Sequence, residues 1–230
     1  MDDLTPLQEI GTPTISDALE ALGLQGATIG ITPAWPFGKR VVGRAVTVGL
    51  TAAGETPPSS HLGVNAISGA KKGSVLVIDN GGRTDVSSFG GILATAASLN
   101  GLEGVVIDGA CRDIDDYVGL DFPVFARGSV VATARRRVME LSTNKLVQLG
   151  GRQVRPDDVI VGDRSGVVVV PKEHLAAVIS KSCELEAREQ QMVADLRGGM
   201  DLAEVDAKYS YEQMLTTDAN DDTHSTREDD

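Results

Sequence analysis

Aromatic side chains are scarce in this sequence: four Phe, three Tyr and one Trp, or 3% of 230 residues. That argues against a base-stacking surface or an aromatic cage as the main recognition device. Cysteine is scarcer still. Cys111 and Cys183 stand far apart with no CxxC and no Cys/His spacing, so neither a thiolate zinc site nor a redox pair is signalled, and a reducing compartment is the default. Apolar runs of membrane-spanning length are missing, and the opening Met1-Asp2-Asp3-Leu4-Thr5-Pro6 has neither a basic nor an apolar leader segment. The expectation is a cytoplasmic protein with no membrane partner. Positive charge is in deficit, with 21 Lys and Arg against 33 Asp and Glu and a formal charge of −12. A phosphate-tracking nucleic-acid binder would need a local basic patch, and the one short patch is Arg135-Arg136-Arg137.

What is present describes an ordinary folded chain. Hydrophobic residues make up 41% and charged residues 23%, at a length that reads as one domain with an appended helical segment. The expected division is a body at 1–197, a helical extension at 198–217 and an acidic tail at 218–230, disordered by its composition. In the body, a β-branched run, a glycine-rich turn and an alanine-rich stretch recur. Ser74-Val75-Leu76-Val77-Ile78-Asp79 reads as a buried strand that Gly81-Gly82 ends, residues 91–99 as a small-residue helix, and Gly104-Val105-Val106-Ile107-Asp108-Gly109 as a second buried strand. Two buried strands with a helix between them suggest a parallel βαβ crossover, followed by a helical turn at 113–117. Residues 41–50, 159–161 and 166–170 read as further strands, the last two joined by a tight turn. A short helix at 15–22 is expected, capped by Thr12 or Thr14 around Pro13. A long helix is expected from 171 to about 215, ended by Gly198-Gly199. The class is mixed α/β.

Ligands on such sheets bind beyond the carboxyl ends of strands, where glycine-rich loops open helices. Asn80 to Leu93 forms one such loop, in which Gly90-Gly91 opens the alanine-rich helix and leaves amides free for an anion. Gly109-Ala110-Cys111-Arg112-Asp113 forms the other and delivers a guanidinium and a carboxylate side by side. Neither the Walker lysine nor GxGxxG spacing is present, so a small carboxylate ligand fits better than a nucleotide. Arg112 would grip that carboxylate or an adjacent keto oxygen, and the amides of Ile92 and Leu93 would complete the cradle. A hard cation such as Mg²⁺ needs only one or two carboxylates besides water and substrate oxygens, which Asp113 satisfies. A 2-keto acid chelating that cation implies carbon–carbon lyase chemistry through an enolate. The plainer alternative is an exposed Arg112–Asp113 ion pair beside a close-packing turn. Cys111 reads as a small filler beneath the loop rather than a nucleophile. His61 and His174 read as capping or packing residues, and Trp35 and Phe37 as anchors of a loop. Arg135 to Arg137 are solvated, meet another subunit or attract a dianionic substrate.

The stretches Gly90-Gly91-Ile92-Leu93-Ala94-Thr95-Ala96-Ala97, Gly104 to Asp113 and Gly119 to Gly128 resemble the RraA-like family, which includes the 4-hydroxy-4-methyl-2-oxoglutarate/4-carboxy-4-hydroxy-2-oxoadipate aldolases. Thr14-Ile15-Ser16-Asp17-Ala18-Leu19 and Arg155 to Pro171 carry the likeness further, over roughly 10 to 195. The resemblance implies a swivelling β/β/α fold, a homotrimer or dimer of trimers, and active sites at subunit boundaries. It assigns Gly90, Gly91, Ile92, Leu93 and Arg112 to a pyruvate moiety and Asp113 to Mg²⁺ or Mn²⁺. Members cleave hydroxylated keto-diacids or decarboxylate oxaloacetate through one pyruvate enolate. Further carboxylates steady the metal's waters, one from a neighbouring subunit's late helix; the candidates here are Asp85, Glu184, Glu186 and Glu189. Some relatives are instead protein-binding regulators of a ribonuclease. Methyl transfer to a quinone, a label attached to such sequences, finds no methyl-donor loop here.

Overall fold

A computed structural model describes residues 3–55 and 61–210. In chain order its elements are α1 (Thr5–Glu9), α2 (Thr12–Ala21), β1 (Thr32–Pro33), β2 (Val41–Ala52), α3 (Val64–Gly69), β3 (Ser74–Ser87), α4 (Gly91–Leu99), β4 (Gly104–Cys111), α5 (Ile114–Leu120), β5 (Val124–Ala126) and β6 (Gly128–Ser129). There follow β7 (Val138–Thr143), β8 (Val147–Leu149), β9 (Arg152–Val154), β10 (Val159–Asp163), β11 (Gly166–Val170), α6 (Leu175–Arg197) and α7 (Leu202–Tyr209).

The main sheet runs β1-β5-β4-β3-β2-β10-β11, with β6 added to β4 and β7 to β2. Strands β2 to β5 pair in parallel, β10 and β11 form an antiparallel hairpin, and β8–β9 is a separate ribbon. The sheet is nearly closed. Ala27 bridges Val168, the Thr28 amide donates to the Val167 carbonyl at 3.0 Å, and Thr32 then pairs with Ala126, so the 27–33 segment ties β11 to β5.

Because side chains alternate along a strand, a run buried on both sides divides its residues between two cores. Val75, Val77 and Val106 point inside with Val41, Phe125, Ile160 and Val169, whereas Leu76, Ile78, Val105 and Ile107 point outside, against Phe89, Ala94, Ala97 and Tyr117 of the helical layer. A third core packs Leu7, Ile15, Leu19, Leu175 and Val178 on Val159, Val161, Val168 and Val170. Trp35 lies beside the inner core, its ring edge-on to Phe37 at 5.4 Å and its Nε1 donating to the Phe122 carbonyl at 3.0 Å.

Three sequence expectations change. Helix α2 starts at Thr12 from an extended Gly11 with no side-chain cap, because Pro13 already supplies the fixed φ of a first turn. The long helix stops at Arg197 with Gly198 behind it, and α7 begins anew from Asp201, whose carboxylate and Glu204 form a reciprocal capping box. Gly81-Gly82 does not end β3: both residues take positive φ, 61° and 73°, and the strand resumes beyond them to Ser87. The tail at 218–230 and the last part of 198–217 lie outside the described residues. No described helix is long and apolar enough to cross a membrane.

Candidate active site at the ends of β3 and β4

The pairing of β3 with β4 shows how two distant loops meet. Asp79 lies opposite Asp108, but Arg83 lies opposite Gly109 and Ser87 opposite Ala110, so β3 makes two excursions while β4 advances two residues. Each excursion lengthens β3 relative to its partner. The chain consequently leaves the sheet at Ser87, opposite Ala110 near the end of β4, rather than at Asp79. The Ser88 amide donates to the Ala110 carbonyl at 2.9 Å and the Arg112 amide to the Phe89 carbonyl at 3.1 Å. That Phe89 carbonyl also accepts from Ser87 Oγ at 2.9 Å and from the Tyr117 hydroxyl at 3.1 Å. Burial pushes the Tyr117 phenol well above its ordinary range, so it stays a neutral donor.

On this scaffold the six residues anticipated from sequence come together around one cavity of about 350 Å³: Gly90, Gly91, Ile92, Leu93, Arg112 and Asp113. Asp113 takes a left-handed backbone, φ 61° and ψ 45°, a region that Asp tolerates better than most residues. Its Oδ2 accepts from the Gly91 amide at 3.0 Å and lies 3.3 Å from Arg112 Nε. The terminal nitrogens of Arg112 and the Oδ1 of Asp113 have no partner among the described residues, nor have the amides of Ile92 and Leu93 in the first turn of α4. Arg112 and Asp113 are each about one-third exposed, at 35% and 39% of their side chains. The pair therefore faces the cavity with a free fork, a free carboxylate oxygen and two free amides. Ile92 itself is 84% exposed.

The glycines answer to close approach. A Cβ on Gly90 would stand 2.6 Å from Asp113 Oδ2, and one on Gly91 would collide with the Asp116 carboxylate, 2.7 Å from its Cγ. Asp116 lines the same cavity, as do Arg135 and His61. Asp116 was missed from sequence, although it lies on the first turn of α5, just behind the Asp113 that precedes that helix. The Arg135 guanidinium has no partner among the described residues, and of the basic triplet it is the arginine that lines this cavity. His61 lies three residues ahead of α3 rather than opening it, and His174 precedes α6 without capping it. Cys111 is buried, its thiol pushed up to about 11 by burial, as befits a filler and not a nucleophile.

The remaining carboxylates lie elsewhere on this chain. Asp85 is bidentately paired with Arg83 at 2.8 and 3.0 Å and held below the usual carboxylate range by it. Glu184 pairs with Lys181 at 3.0 Å, and Glu186 accepts from Gln190 at 2.9 Å. Glu189 accepts from Thr14 Oγ1 at 3.0 Å; burial, together with Glu186 and Asp17, raises its pKa. None of the four lines the cavity that holds Asp113.

Among the described residues no three His, Cys, Asp or Glu side chains form an all-protein metal cage. The donor set instead suits a hard cation that keeps most of its water: two carboxylates flank Gly91, and one has a free oxygen.

A sequence model of the family described as RraA-like, Aldolase/RraA, matches residues 12–169. A protein of Halalkalibacterium halodurans, "Putative 4-hydroxy-4-methyl-2-oxoglutarate aldolase", is 36% identical over 83% of this chain and 86% of its own length. Protein DlpA of Legionella pneumophila is 30% identical over 91% of this chain, which spans only 34% of DlpA. The crystal structure of an uncharacterized protein from Pseudomonas syringae pv. tomato superposes with a TM-score of 0.80 at 33% identity, covering 88% of this chain and 95% of that one.

Proposed function

The chain belongs to the RraA-like family, and on that footing we infer that it is a divalent-metal-dependent carbon–carbon lyase acting on small 2-keto acids. The observation that carries this reading is the Arg112 fork and the free Asp113 oxygen beside two unpaired amides in a single small cavity. The name borne by the Halalkalibacterium halodurans relative supports an aldolase-type activity. Two substrates suit the site, 4-hydroxy-4-methyl-2-oxoglutarate and oxaloacetate.

Asp113 would hold Mg²⁺ or Mn²⁺, with Asp116 steadying its waters, and the bound cation would act as a Lewis acid toward the keto acid. Arg112 binds the C1 carboxylate and C2 oxygen through its terminal nitrogens and stabilises negative charge as it develops on that oxygen. The Ile92 and Leu93 amides orient the carboxylate. In retro-aldol cleavage the C4 hydroxyl loses its proton, the C3–C4 bond breaks, and its electron pair becomes the pyruvate enolate; protonation at C3 then gives pyruvate beside the second keto acid. In oxaloacetate the C3–C4 bond breaks with release of CO₂ to the same enolate. Arg135, in the cavity lining and without a partner among the described residues, attracts the distal carboxylate that both substrates carry.

The reading extends to assembly as a homotrimer or dimer of trimers in which a neighbour's α6 contributes a carboxylate. Glu189 is the candidate to prefer. Glu184 is already ion-paired, whereas Glu189 is half-buried beside Glu186 and Asp17 with no cation paired to it among the described residues, an arrangement typical of functional carboxylates.

The test couples pyruvate release from each substrate, with Mg²⁺ or Mn²⁺, to NADH oxidation. Asp113→Ala and excess EDTA should each lower the rate by about a hundredfold or more. Metal-independent activity would remove Asp113 from this role. No pyruvate from either substrate would favour a non-catalytic, protein-binding regulator of ribonuclease activity.

A further inference from the structure

The cavity is lined in part by His61, Leu62 and Val64, just ahead of and at the start of α3. Leu62 packs with Val86 and Val138 in a small apolar cluster of its own, separate from the three large cores. Gly63 turns the chain with a left-handed φ of 71°, and its amide donates to Glu140 Oε2 at 2.8 Å.

Glu140 is aimed there by an irregularity in the sheet. Gly49 pairs with Ser142, but the next residue, Leu50, pairs with Glu140, so Leu141 is an extra residue in β7 and its side chain is 69% exposed. Such a bulge re-aims the neighbouring side chain. Across the bulge the Thr143 hydroxyl donates to Glu140 Oε1. Both carboxylate oxygens thus meet neutral donors, and Glu140 makes no ion pair among the described residues. An anionic acceptor held by two neutral donors makes a stronger tie to the Gly63 amide than a neutral one would.

We propose that Glu140 is a positioning residue: through the Gly63 amide it holds the His61–Leu62 wall in place in the cavity that the Arg112–Asp113 loop also lines. It touches no substrate. The kinetic arm of its test rests on the lyase reading above; the exchange arm does not.

The experiment compares wild type, Glu140→Ala, Glu140→Gln and Thr143→Val in two measurements: backbone hydrogen exchange over residues 61–69, and kcat and KM for Mg²⁺-supported oxaloacetate decarboxylation. Glu140→Ala should speed exchange at 61–69 while leaving β4 protected. It should also lower kcat/KM about ten- to a hundredfold, chiefly through KM, as small misplacements of a site wall do. Glu140→Gln should recover both, since its amide oxygen can accept from Gly63 while its NH₂ donates to Thr143 Oγ1. Thr143→Val, which leaves the carboxylate in place, should change both in the same direction but less, and it decides the matter if Glu140→Ala fails to fold. Unchanged exchange in Glu140→Ala, or altered exchange with unaltered kinetics, would overturn the proposal, as would a Glu140→Gln variant that behaves like alanine. If the wild type releases pyruvate from neither oxaloacetate nor 4-hydroxy-4-methyl-2-oxoglutarate, the lyase reading fails, and the exchange pattern alone still decides whether Glu140 holds the wall.

Discussion

At position 91 a single hydrogen decides whether the cavity keeps two carboxylates. A methyl group there would collide with the Asp116 side chain, so Gly91→Ala must push α5 or rotate Asp116 out of the cavity. We expect a loss of stability of about 1–3 kcal/mol, the usual range for overpacking, and a fall in lyase activity that added Mg²⁺ does not restore. Thermal unfolding and the pyruvate assay together check this. Arg112→Lys should also lose about a hundredfold in kcat/KM, because an ammonium cannot bridge carboxylate and keto oxygen as a planar fork does; a lysine variant with full turnover would remove the guanidinium from the mechanism. At this scale the sequence was most informative. Gly90, Gly91, Arg112 and Asp113 could be read directly, since adjacent residues of a loop must share a place. Asp116 and Arg135 could not, because what brings them in is a helix turn and a wall whose positions depend on tertiary packing.

Among elements, the pairing of α2 with α6 holds carboxylates under tension. Burial, with Glu186 and Asp17 adding repulsion, raises the Glu189 pKa, while burial and Glu20 raise that of Asp17. A carboxyl whose folded-state pKa lies above its unfolded value binds more protons folded than unfolded; its contribution favours the fold below the unfolded value, near 4.5 for Glu, and is lost as pH rises through the folded value. Glu189→Gln should therefore unfold at a higher temperature than wild type at pH 7, with the gap closing toward pH 4 in a calorimetric series. Equal melting curves at pH 7 would show that Glu189 is not strained. Strands and helices were legible where burial is two-sided and continuous: Val75 to Ile78, Gly104 to Ile107 and the alanine-rich α4 fall where their composition puts them. The path of β3 beyond Asp79 was not, because paired glycines stop a strand by local preference, and here the parallel partner β4 takes the chain back after each excursion. The end of α6 was legible in Gly198-Gly199, whereas the fresh start of α7 at Asp201 was not, because the composition beyond Met200 reads as a continuation of the same helix.

For the whole molecule, the near-closed sheet and its helical layers place Asp113 and Glu189 on separate parts of one chain. If a site forms between copies, neither residue need come from the same copy. Mixing inactive Asp113→Ala with inactive Glu189→Ala under conditions that exchange subunits should recover activity that neither variant shows alone. No recovery after demonstrated exchange would confine the site to one chain. The division into body and helical extension rests on where Gly198 stops α6, and α7 then folds back onto it: Arg188 donates to the Tyr209 carbonyl at 2.6 Å, and Lys208 meets Asp195 at 2.7 Å. Trp35, the chain's one tryptophan, is tied to the Phe122 carbonyl and Phe37 and takes no part in lining the cavity. Its fluorescence should accordingly serve as a thermometer for unfolding that ligands leave undisturbed, so that an emission change on adding a keto acid would mean that the barrel wall itself had moved.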